Sequence, residues 1–305
     1  MEPVSPNKEE LRAGQRLIKW GLEEDLSGGG DRTSTFLIDE EKIGRANIVA
    51  RQSGTVAGID IARNVFQTLD PSILCKGKAV DGDRINTADV LMEIEGNIRT
   101  MLSTERVALN FLTHLSGIAT LTAQFVAAVS GTKAQIFDTR KTIPGWRRLA
   151  KYAVRAGGGN NHRINLADGA MIKDNHLAAL THGINGGNNS DVVSFGEQIM
   201  EAIIRLREKL PKEVPIVVEV DHMAQYKKVL PICPDVVLLD NMELFELRQA
   251  VRFRNELASK VCLEATGGIT LENVREVALT GVERISVGAL THSSSGLDIA
   301  MDWSH

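Results

Sequence analysis

Residues 134–176 read AQIFDTRKTIPGWRRLAKYAVRAGGGNNHRINLADGAMIKDNH, and this stretch sets the interpretation of the whole chain. It contains two short apolar runs, residues 134–137 and 170–172, and charged side chains follow each run directly. Residues 138–176 carry eight Lys or Arg and three acids, although the formal net charge of the 305-residue chain is −4. A local excess of cations in an acidic protein indicates a site for a highly anionic ligand.

The alternative interpretation of this stretch is a solvated basic helix, which is what charge runs usually are. Two features argue against it. Pro144-Gly145 and the three glycines at 157–159 would break any helix into short pieces. The cations are also mixed with Trp146, Leu149 and Tyr152, which are typical of buried positions. The sequence therefore favours a binding site.

Similar apolar runs continue along the chain and alternate with amphipathic segments. They lie at residues 134–137, 170–172, 216–220, 236–239, 261–263 and 285–287. Short, near-continuous apolar strands that alternate with helices predict a parallel sheet with helices outside it. Six such units indicate a βα barrel that is incomplete.

Charge or glycine stands at the carboxyl end of every run. The residues concerned are Asp138, Lys173, Glu219, Asp240, Glu264 and Gly288. In a βα barrel these ends meet at one face, where active sites lie. The late loops Thr266-Gly267-Gly268 and Gly288 can also present backbone N–H groups to a phosphate. We therefore expect an anion pocket with cations on the early strands and carboxylates on the middle ones.

The first part of the chain mixes strands and helices without strict alternation. Asn7 and Glu10 have the spacing of a helix capping box, and an amphipathic helix should follow and end at Gly28. Strands are expected at residues 46–51, 73–80 and 90–95, a helix from Ile59 to Leu69 between them, and a long helix at 102–129. The fold class we predict is α/β, with an N-terminal α+β sandwich domain (1–119) followed by an open βα barrel (120–289). The tail, 290–305, should pack on the first domain.

The composition fits a globular protein with a full core, since 43% of residues are hydrophobic and 24% are charged. No apolar run approaches the roughly 20 residues of a membrane span, and the first residues are polar and acidic, unlike a signal peptide. Cys75, Cys233 and Cys262 have no metal or redox spacing and are interpreted as reduced core residues. These features favour a cytoplasmic protein, with a Gly/Asn-rich surface loop at 183–190.

Together, several motifs resemble the quinolinate phosphoribosyltransferase family. They are Thr139-Arg140-Lys141-Thr142 with Pro144-Gly145, Lys151-Tyr152-Ala153, the three glycines at 157–159, Asn161-His162-Arg163 and Ile172-Lys173-Asp174-Asn175-His176. Thr104-Glu105-Arg106, Glu219, Leu239-Asp240-Asn241, Glu264-Ala265-Thr266-Gly267-Gly268 and the segment from Gly288 to Ser293 follow in the family's order. The resemblance covers nearly the whole chain. Its departures, such as Trp146 in a usually aliphatic position, remove no charge.

The resemblance implies a pentosyltransferase that combines quinolinate with phosphoribosyl pyrophosphate. The products would be nicotinate mononucleotide, pyrophosphate and CO2, in NAD biosynthesis. It also implies Mg²⁺ as cofactor and a homodimer, or a dimer-based oligomer, in which Arg106 reaches the neighbouring subunit's site. We expect no nucleic acid as partner, because the chain is acidic overall, and no membrane, because no apolar run is long enough to span one.

The family's site positions are carried over residue by residue. Those for quinolinate are Arg106, Thr139, Arg140, Lys141, His162, Arg163 and Lys173. Those for phosphoribosyl pyrophosphate are Lys141, Glu219, Asp240, Thr266, Gly267, Gly268, Val287, Gly288 and Ala289. The expected catalytic residues are Lys141, Glu219 and Asp240, and Glu219 and Asp240 are expected to hold Mg²⁺ directly or through water.

The chemistry of the ligands suits these residue types, because arginine forks bind carboxylates bidentately and quinolinate has two adjacent carboxylates. Among single residues, we expect His162 to contact the ligand, Trp146 to pack, and Asp138 to hold a neighbouring cation. His176 either orients the end of the Lys173 strand or has a direct role, whereas His114 and His182 are not expected to be catalytic.

Three alternatives remain open from the sequence. The pyridine substrate could be nicotinate, although a monocarboxylate needs fewer cations. The chain could correspond to the family's molybdenum-transport-associated paralogue. A barrel that binds a phosphorylated sugar or nucleic acid without catalysis belongs to a different class, and the chain's acidity disfavours nucleic acid.

Overall fold

The computed structural model describes residues 4–181, 195–257 and 260–304. The contacts between residues divide the chain into two compact units. Unit 1 is formed from residues 1–126, 141–161 and 288–305, and unit 2 from residues 127–140 and 162–287. The predicted loop at 183–190 and His182 lie outside the described residues. The predicted domain limits, 1–119 and 120–289, remain a prediction.

The helices and strands are numbered here in chain order. The helices are α1 (Lys8–Leu26), α2 (Arg32–Leu37), α3 (Ile59–Leu69), α4 (Ile98–Ala128), α5 (Arg147–Ala156), α6 (Asp174–Thr181), α7 (Phe195–Lys209), α8 (Met223–Val229), α9 (Leu244–Glu256), α10 (Val274–Leu279) and α11 (Ala289–His292). The strands are β1 (Ile43–Ala50), β2 (Gly54–Thr55), β3 (Leu74–Gly77), β4 (Arg84–Ile85), β5 (Val90–Asn97), β6 (Gln135–Phe137), β7 (Ala170–Ile172), β8 (Ile216–Val220), β9 (Val236–Asp240), β10 (Cys262–Thr266), β11 (Arg284–Ser286) and β12 (Ile299–Trp303). A 3₁₀ turn (Leu230–Ile232) follows α8.

Unit 1 contains an antiparallel sheet in the order β12-β1-β5-β3. Ala46 of β1 pairs with Ile94 of β5, and Ile48 pairs with Met301 of β12, so the last strand of the chain completes the sheet of the first unit. The expected strands and the helix over Ile59–Leu69 are confirmed. The two-residue strands β2 and β4, which pair with each other, are too short to give a sequence pattern.

Helix α1 begins at the predicted capping box. The Asn7 side chain accepts hydrogen bonds from the backbone of Glu9 and Glu10, and the Glu10 carboxylate accepts from the Asn7 backbone N–H at 2.8 Å. Glu10 is buried and also pairs with Arg155 of α5, at 2.7 Å between Oε1 and Nη1. This pair fixes α5, the basic helix of the opening stretch, against α1.

The long helix α4 forms the interior of unit 1. In the part of the chain that the structure describes, α4 alone is long and apolar enough to cross a membrane by length and composition. Half of the apolar 18-residue part of this helix is buried within the protein, which is typical of a core helix. At Gly117 an added Cβ would lie 2.2 Å from the carbonyl oxygen of Ser295, so the C-terminal tail packs directly on this helix.

Unit 2 is built on a parallel six-stranded sheet in the order β6-β11-β10-β9-β8-β7. The six predicted apolar runs form these six strands. Within the described residues, the one pairing that would close a barrel, between the two edge strands β6 and β7, is missing. The predicted open βα barrel is therefore confirmed, as is the α+β first unit.

The two faces of this sheet differ in chemistry because side chains alternate along each strand. One face is apolar and fully buried, with Val218, Val237, Leu239, Leu263 and Ile285. The other, which we call the polar face, begins with a layer of Val217, Val236, Leu238, Met171 and Cys262. It then becomes charged toward the carboxyl ends of the strands.

The cysteine interpretation needs one correction. All three cysteines are free thiols, and Cys75 and Cys262 are half-buried. Cys233, however, is exposed, because it follows the 3₁₀ turn with a left-handed backbone (φ 56°) and does not enter the sheet. Its neighbouring apolar residues belong to that turn and to β9.

Candidate functional site

The strand register brings the predicted carboxylates of unit 2 onto the polar face. Glu219 of β8 pairs with Leu238 of β9, which in turn pairs with Glu264 of β10. Asp240 and Thr266 pair with each other two residues further along the same strands. Residues at equal or two-residue offsets in a parallel sheet point to the same side, so these side chains share one face at the carboxyl ends of the strands.

Lys173 and Glu219 form an ion pair on this face. Lys173 directly follows β7, and its ammonium group contacts Oε2 of Glu219 on the neighbouring strand β8. The side chains are 38% and 19% exposed, so both remain open to solvent. The sequence assigned these residues to two different ligands, and the structure makes them each other's counter-ion.

Arg140 and Arg163 are both partly buried in unit 2. The pKa of Arg163 is lowered, first by burial and then by the positive charge of Arg140, while Glu219 acts in the opposite direction. Arg163 donates from Nη1 to the carbonyl oxygen of Gly169 at 2.8 Å. Two guanidinium groups placed near each other favour the binding of an anion between them or beside them.

The segment that carries Arg163 is held by side chains from two strands. The backbone N–H of His162 donates to Oδ1 of the buried Asp138 at 2.8 Å. The His162 ring accepts a bond at Nδ1 from the backbone N–H of Arg163, also at 2.8 Å, and places Nε2 3.4 Å from Oε1 of Glu264. The Asp138 side chain thus holds the backbone of this segment at His162.

Glu264 is fully buried on β10 and was not among the predicted site residues. Its Oε1 accepts from the hydroxyl of Ser286. Burial raises the pKa of its carboxyl, the Ser286 hydroxyl and Arg284 oppose that rise, and Asp138 adds to it. The sequence placed Glu264 at the end of an apolar run but gave no sign of its contact with His162.

His176 has the orienting role that was one of its two expected interpretations. Its Nδ1 accepts from the backbone N–H of Lys173 at 3.1 Å, at the start of α6. The ring therefore supports the strand end that presents Lys173.

A cavity of about 260 Å³ opens beside the Lys173–Glu219 pair. It is lined by Asp174, Leu177, Phe195, Glu219, Asp221, Gln225 and Asp240. Carboxylate oxygens are the ligands that Mg²⁺ prefers, and this ion usually keeps several waters and uses one or two carboxylates. The described residues contain no group of three or more His, Cys, Asp or Glu arranged to hold a metal. The donor set thus fits an ion that is bound mainly by waters and ligand oxygens.

A larger cavity, about 850 Å³, lies beside β7, α6 and α7. It is lined largely by apolar side chains, among them Leu166, Met171 and Ile172. Arg163 borders it, but Glu219 and Asp240 do not. Size alone therefore does not mark the chemical site, which follows the charged strand ends.

The loop after β10 has a backbone that only glycine fits well. Gly267 has φ +87°, and a Cβ added there would lie 2.2 Å from Oδ1 of Asn241, which follows β9. The backbone N–H of Asn241 donates to the carbonyl oxygen of Thr266 at 2.9 Å. This loop is consistent with a phosphate-binding turn in which backbone N–H groups face the ligand.

Several predicted phosphate-site residues belong to unit 1 or to its boundary. The carbonyl oxygen of Lys141 accepts from the Thr291 hydroxyl at 2.8 Å. At Gly288 an added Cβ would be 3.2 Å from Cδ of Lys141 and 3.1 Å from Nε2 of His292. Unit 1 thus brings Lys141, Gly288 and His292 together, with Ala289 starting α11. In unit 2, Val287 is buried and donates its backbone N–H to Phe137.

Arg106 is exposed on α4. Burial raises the pKa of the neighbouring Glu105 carboxyl, and the positive charge of Arg106 opposes that rise. Trp146, also in unit 1, stacks on Phe111 with ring centroids 5.0 Å apart and meets His114 edge-on. Trp146 therefore packs within unit 1, as expected.

Comparisons with known proteins match the chain over most of its length. A family model for the N-terminal domain of quinolinate phosphoribosyl transferase covers residues 31–116, and the model for its C-terminal domain covers residues 118–302. The "Nicotinate-nucleotide pyrophosphorylase [carboxylating]" of Mycobacterium leprae is 40% identical over 298 residues, which is 96% of this chain and 98% of that protein.

Two further relatives have names from the same family. The "Quinolinate phosphoribosyltransferase [decarboxylating] 1b" of Nicotiana tabacum is 35% identical and covers 93% of this chain and 81% of its own. A crystal structure of nicotinate-nucleotide pyrophosphorylase from Ehrlichia chaffeensis has a TM-score of 0.84 and 39% identity, and it covers 95% of this chain and 98% of that one.

Proposed function

Because the chain belongs to the quinolinate phosphoribosyltransferase family, we propose that it transfers the phosphoribosyl group of phosphoribosyl pyrophosphate to quinolinate. The products are nicotinate mononucleotide, pyrophosphate and CO2, a step of de novo NAD synthesis. The names of the relatives support this reaction, and the polar face of unit 2 supplies its chemistry.

The observation that carries the proposal is the Lys173–Glu219 ion pair at the carboxyl ends of β7 and β8, where the partly buried Arg140 and Arg163 add two more cations to the same unit. The positive charge of Arg140 acts against the charged form of Arg163 and Glu219 acts for it, so an anionic ligand would add a further favourable charge. Quinolinate has two adjacent carboxylates on one rigid ring. Each charge-assisted hydrogen bond to such a group contributes about 1.5–3 kcal/mol, so several cations in a fixed arrangement select a dicarboxylate.

The proposed quinolinate site consists of Arg140, Arg163 and Lys173, with Thr139 and His162 supporting the same segments. Lys141, which directly follows Arg140 in the sequence, is proposed as a further cation for quinolinate. Arg106, exposed on α4, is proposed to act in the site of a second subunit of a homodimer. The exposure of this arginine supports that role.

The proposed phosphoribosyl pyrophosphate site uses Glu219 and Asp240 for the ribose side, and Thr266, Gly267 and Gly268 for phosphate. Lys141, Val287, Gly288 and Ala289 are proposed to contribute to phosphate binding as well. Mg²⁺ held by Glu219 and Asp240, with waters, would neutralise charge on the pyrophosphate group. The carboxylate-lined cavity supports this cofactor.

The proposed site residues account for the steps that the protein must assist. The arginines and Lys173 hold the pyridine so that its ring nitrogen faces the anomeric carbon. The N–C bond forms as the C–O bond to pyrophosphate breaks, and Glu219 or Asp240 stabilises the positive charge that builds on the ribose. The 2-carboxylate then leaves as CO2, its electron pair stays on the ring carbon beside the quaternary nitrogen, and that carbon takes a proton.

The experiment is a coupled measurement of CO2 release and nucleotide formation. Purified protein with Mg²⁺, phosphoribosyl pyrophosphate and quinolinate labelled in its 2-carboxylate should release one labelled CO2 for each nicotinate mononucleotide. Nicotinate in place of quinolinate tests the monocarboxylate alternative and should give little product, because one carboxylate leaves part of the cation set unpaired. Absence of CO2 release would contradict the proposal.

The cytoplasmic location expected from the sequence stays a prediction, as does the homodimer. The alternatives of a non-catalytic phosphosugar-binding barrel and a paralogue with another substrate are answered by the same assay. Neither has an observation in its favour, since the cations, the carboxylates and the glycine loop all have a use in the decarboxylating transfer.

A further inference from the structure

Glu264 is a buried acid that the proposed reaction does not use. It has no exposed side-chain surface, and within the described residues its Oε2 has no hydrogen-bond partner. Leaving a carboxyl oxygen buried without a partner is costly and uncommon in native proteins. The contact with its neighbour His162 explains why an acid is placed in the middle of the polar face.

The hydrogen bonds of the His162 ring define its tautomer. Nδ1 accepts the backbone N–H of Arg163 at 2.8 Å, so in the neutral ring the proton lies on Nε2. Nε2 lies 3.4 Å from Oε1 of Glu264, and the ring is only 13% exposed. Oε1 accepts from the Ser286 hydroxyl and has a further lone pair facing the ring, so it stabilises the Nε2–H form of His162.

The ring in turn holds the main chain that presents Arg163. Residues 161–165 belong to no helix or strand. The regular backbone hydrogen bonds of such elements therefore do not fix them. Their described anchors include the bond from the His162 backbone to Asp138 and the bond from the Arg163 backbone to the His162 ring. If the ring rotates, the second anchor is lost.

We infer that Glu264 is a positioning residue: through its contact with Nε2 it holds the His162 ring in one tautomer and orientation, and the ring thereby fixes the backbone of Arg163 in the anion site. The inference deepens the proposed function and rests on it for the identity of the ligand, quinolinate. The ring contact itself does not depend on the ligand and can be measured separately.

The first test is NMR of protein labelled with ¹⁵N at histidine, with the His162 signals identified by their loss in His162→Gln. The wild-type ring should show an unprotonated Nδ1 and a protonated Nε2. Glu264→Leu, which removes the acceptor and keeps the volume, should give a mixture of tautomers. Glu264→Gln keeps an acceptor oxygen and should resemble the wild type. A proton on Nδ1 in the wild type, or an unchanged ring in Glu264→Leu, would overturn the inference.

The second test measures quinolinate affinity by calorimetry in the same variants. Glu264→Leu should bind about ten-fold more weakly, the loss expected for one well-placed charge-assisted bond, and Glu264→Gln should stay within about two-fold of the wild type, since its acceptor is kept. Equal affinity in wild type and Glu264→Leu would refute the link from Glu264 to Arg163. If even the wild type fails to bind quinolinate, the proposed function is wrong, and the ring measurement still decides the role of Glu264.

Ser286→Ala is the control for packing around the acid. It removes the other hydrogen bond to Oε1 and leaves His162 untouched, so the tautomer should remain that of the wild type. Should Glu264→Leu not fold, the wild-type tautomer and the comparison of Glu264→Gln with Ser286→Ala still test the inference. A tautomer mixture in Ser286→Ala would show that general packing, not the carboxyl contact, orients the ring.

Discussion

Replacing Arg163 by methionine separates the contributions of its guanidinium to ligand binding and to folding. This group donates from Nη1 to the carbonyl oxygen of Gly169 at 2.8 Å and, more weakly, from Nη2 to Sδ of Met171 at 3.6 Å. Such a bond contributes about 1 kcal/mol to stability. Burial of the charge and repulsion by Arg140, which lower the pKa of Arg163, act against it. We expect the free energy of unfolding of Arg163→Met to change by less than about 1 kcal/mol.

The effect on binding should be much larger. A guanidinium that pairs with a substrate carboxylate contributes about 1.5–3 kcal/mol, which corresponds to a roughly 10- to 150-fold loss of quinolinate affinity. Calorimetric titration gives the affinity, and urea unfolding gives the stability. Arg163→Lys keeps the charge but loses the fork, and its affinity should lie between those of wild type and Arg163→Met.

Arg207→Met is the matched control, because Arg207 belongs to the same unit and pairs with Asp235 on the surface. Its loss should leave quinolinate affinity unchanged. The reasoning is wrong if Arg163→Met binds quinolinate as the wild type does, or if it loses more than about 2 kcal/mol of stability, which would make Arg163 a structural residue.

Three further predictions follow from other parts of the chain. Burial acts to raise the pKa of Glu283, but hydrogen bonds outweigh burial and lower this pKa to about 2. The carboxylate therefore contributes fully to stability above pH 4.5, its ordinary pKa, and this contribution is lost as the pH falls toward 2. Urea unfolding of Glu283→Gln should lack this acid-dependent loss of a few kcal/mol, and acid sensitivity equal to that of the wild type would contradict the prediction. Gly267→Ala should destabilise the fold by about 1–3 kcal/mol more than Gly268→Ala in thermal unfolding, because both have positive φ but only Gly267 lacks room for a Cβ, and equal losses would show that the clash is relieved. Mixtures of inactive Arg106→Ala and inactive Lys141→Ala should recover part of the activity if subunits share sites, whereas mixtures without activity would argue that each chain forms its own site.

The six strands of unit 2 could be predicted because each buried strand is a short, nearly continuous apolar run with a charge or glycine behind it. The runs at 216–220 and 236–239 are β8 and β9 almost to the residue. The same regularity predicted that Glu219 and Asp240 share a face, since parallel strands end together. What periodicity cannot give is a two-residue strand such as β2.

The contacts that determine the chemistry of the site were harder to predict, for a physical reason. His162 and Glu264 are about a hundred residues apart in sequence, and their contact depends on the register of β10 against its neighbours. The turn at Asp81 is similar. Its carboxylate caps α3 by accepting from the backbone N–H groups of Gly58 and Ile59. A local pattern indicates where such a side chain is, whereas its partner is set by the tertiary structure.

The Lys173–Glu219 pair has a consequence for how ligands bind to the polar face. Lys173, the cation proposed for quinolinate, pairs with Glu219, the carboxylate proposed for the ribose and the metal. Binding of quinolinate therefore exchanges one ion pair for another, and the gain is smaller than the full value of a new charge-assisted bond. The same exchange leaves Glu219 without its counter-ion and raises its attraction for a cation or for positive charge on the ribose. If Lys173 and Glu219 have the proposed roles, this contact would couple the two substrates, and each is expected to favour the binding of the other.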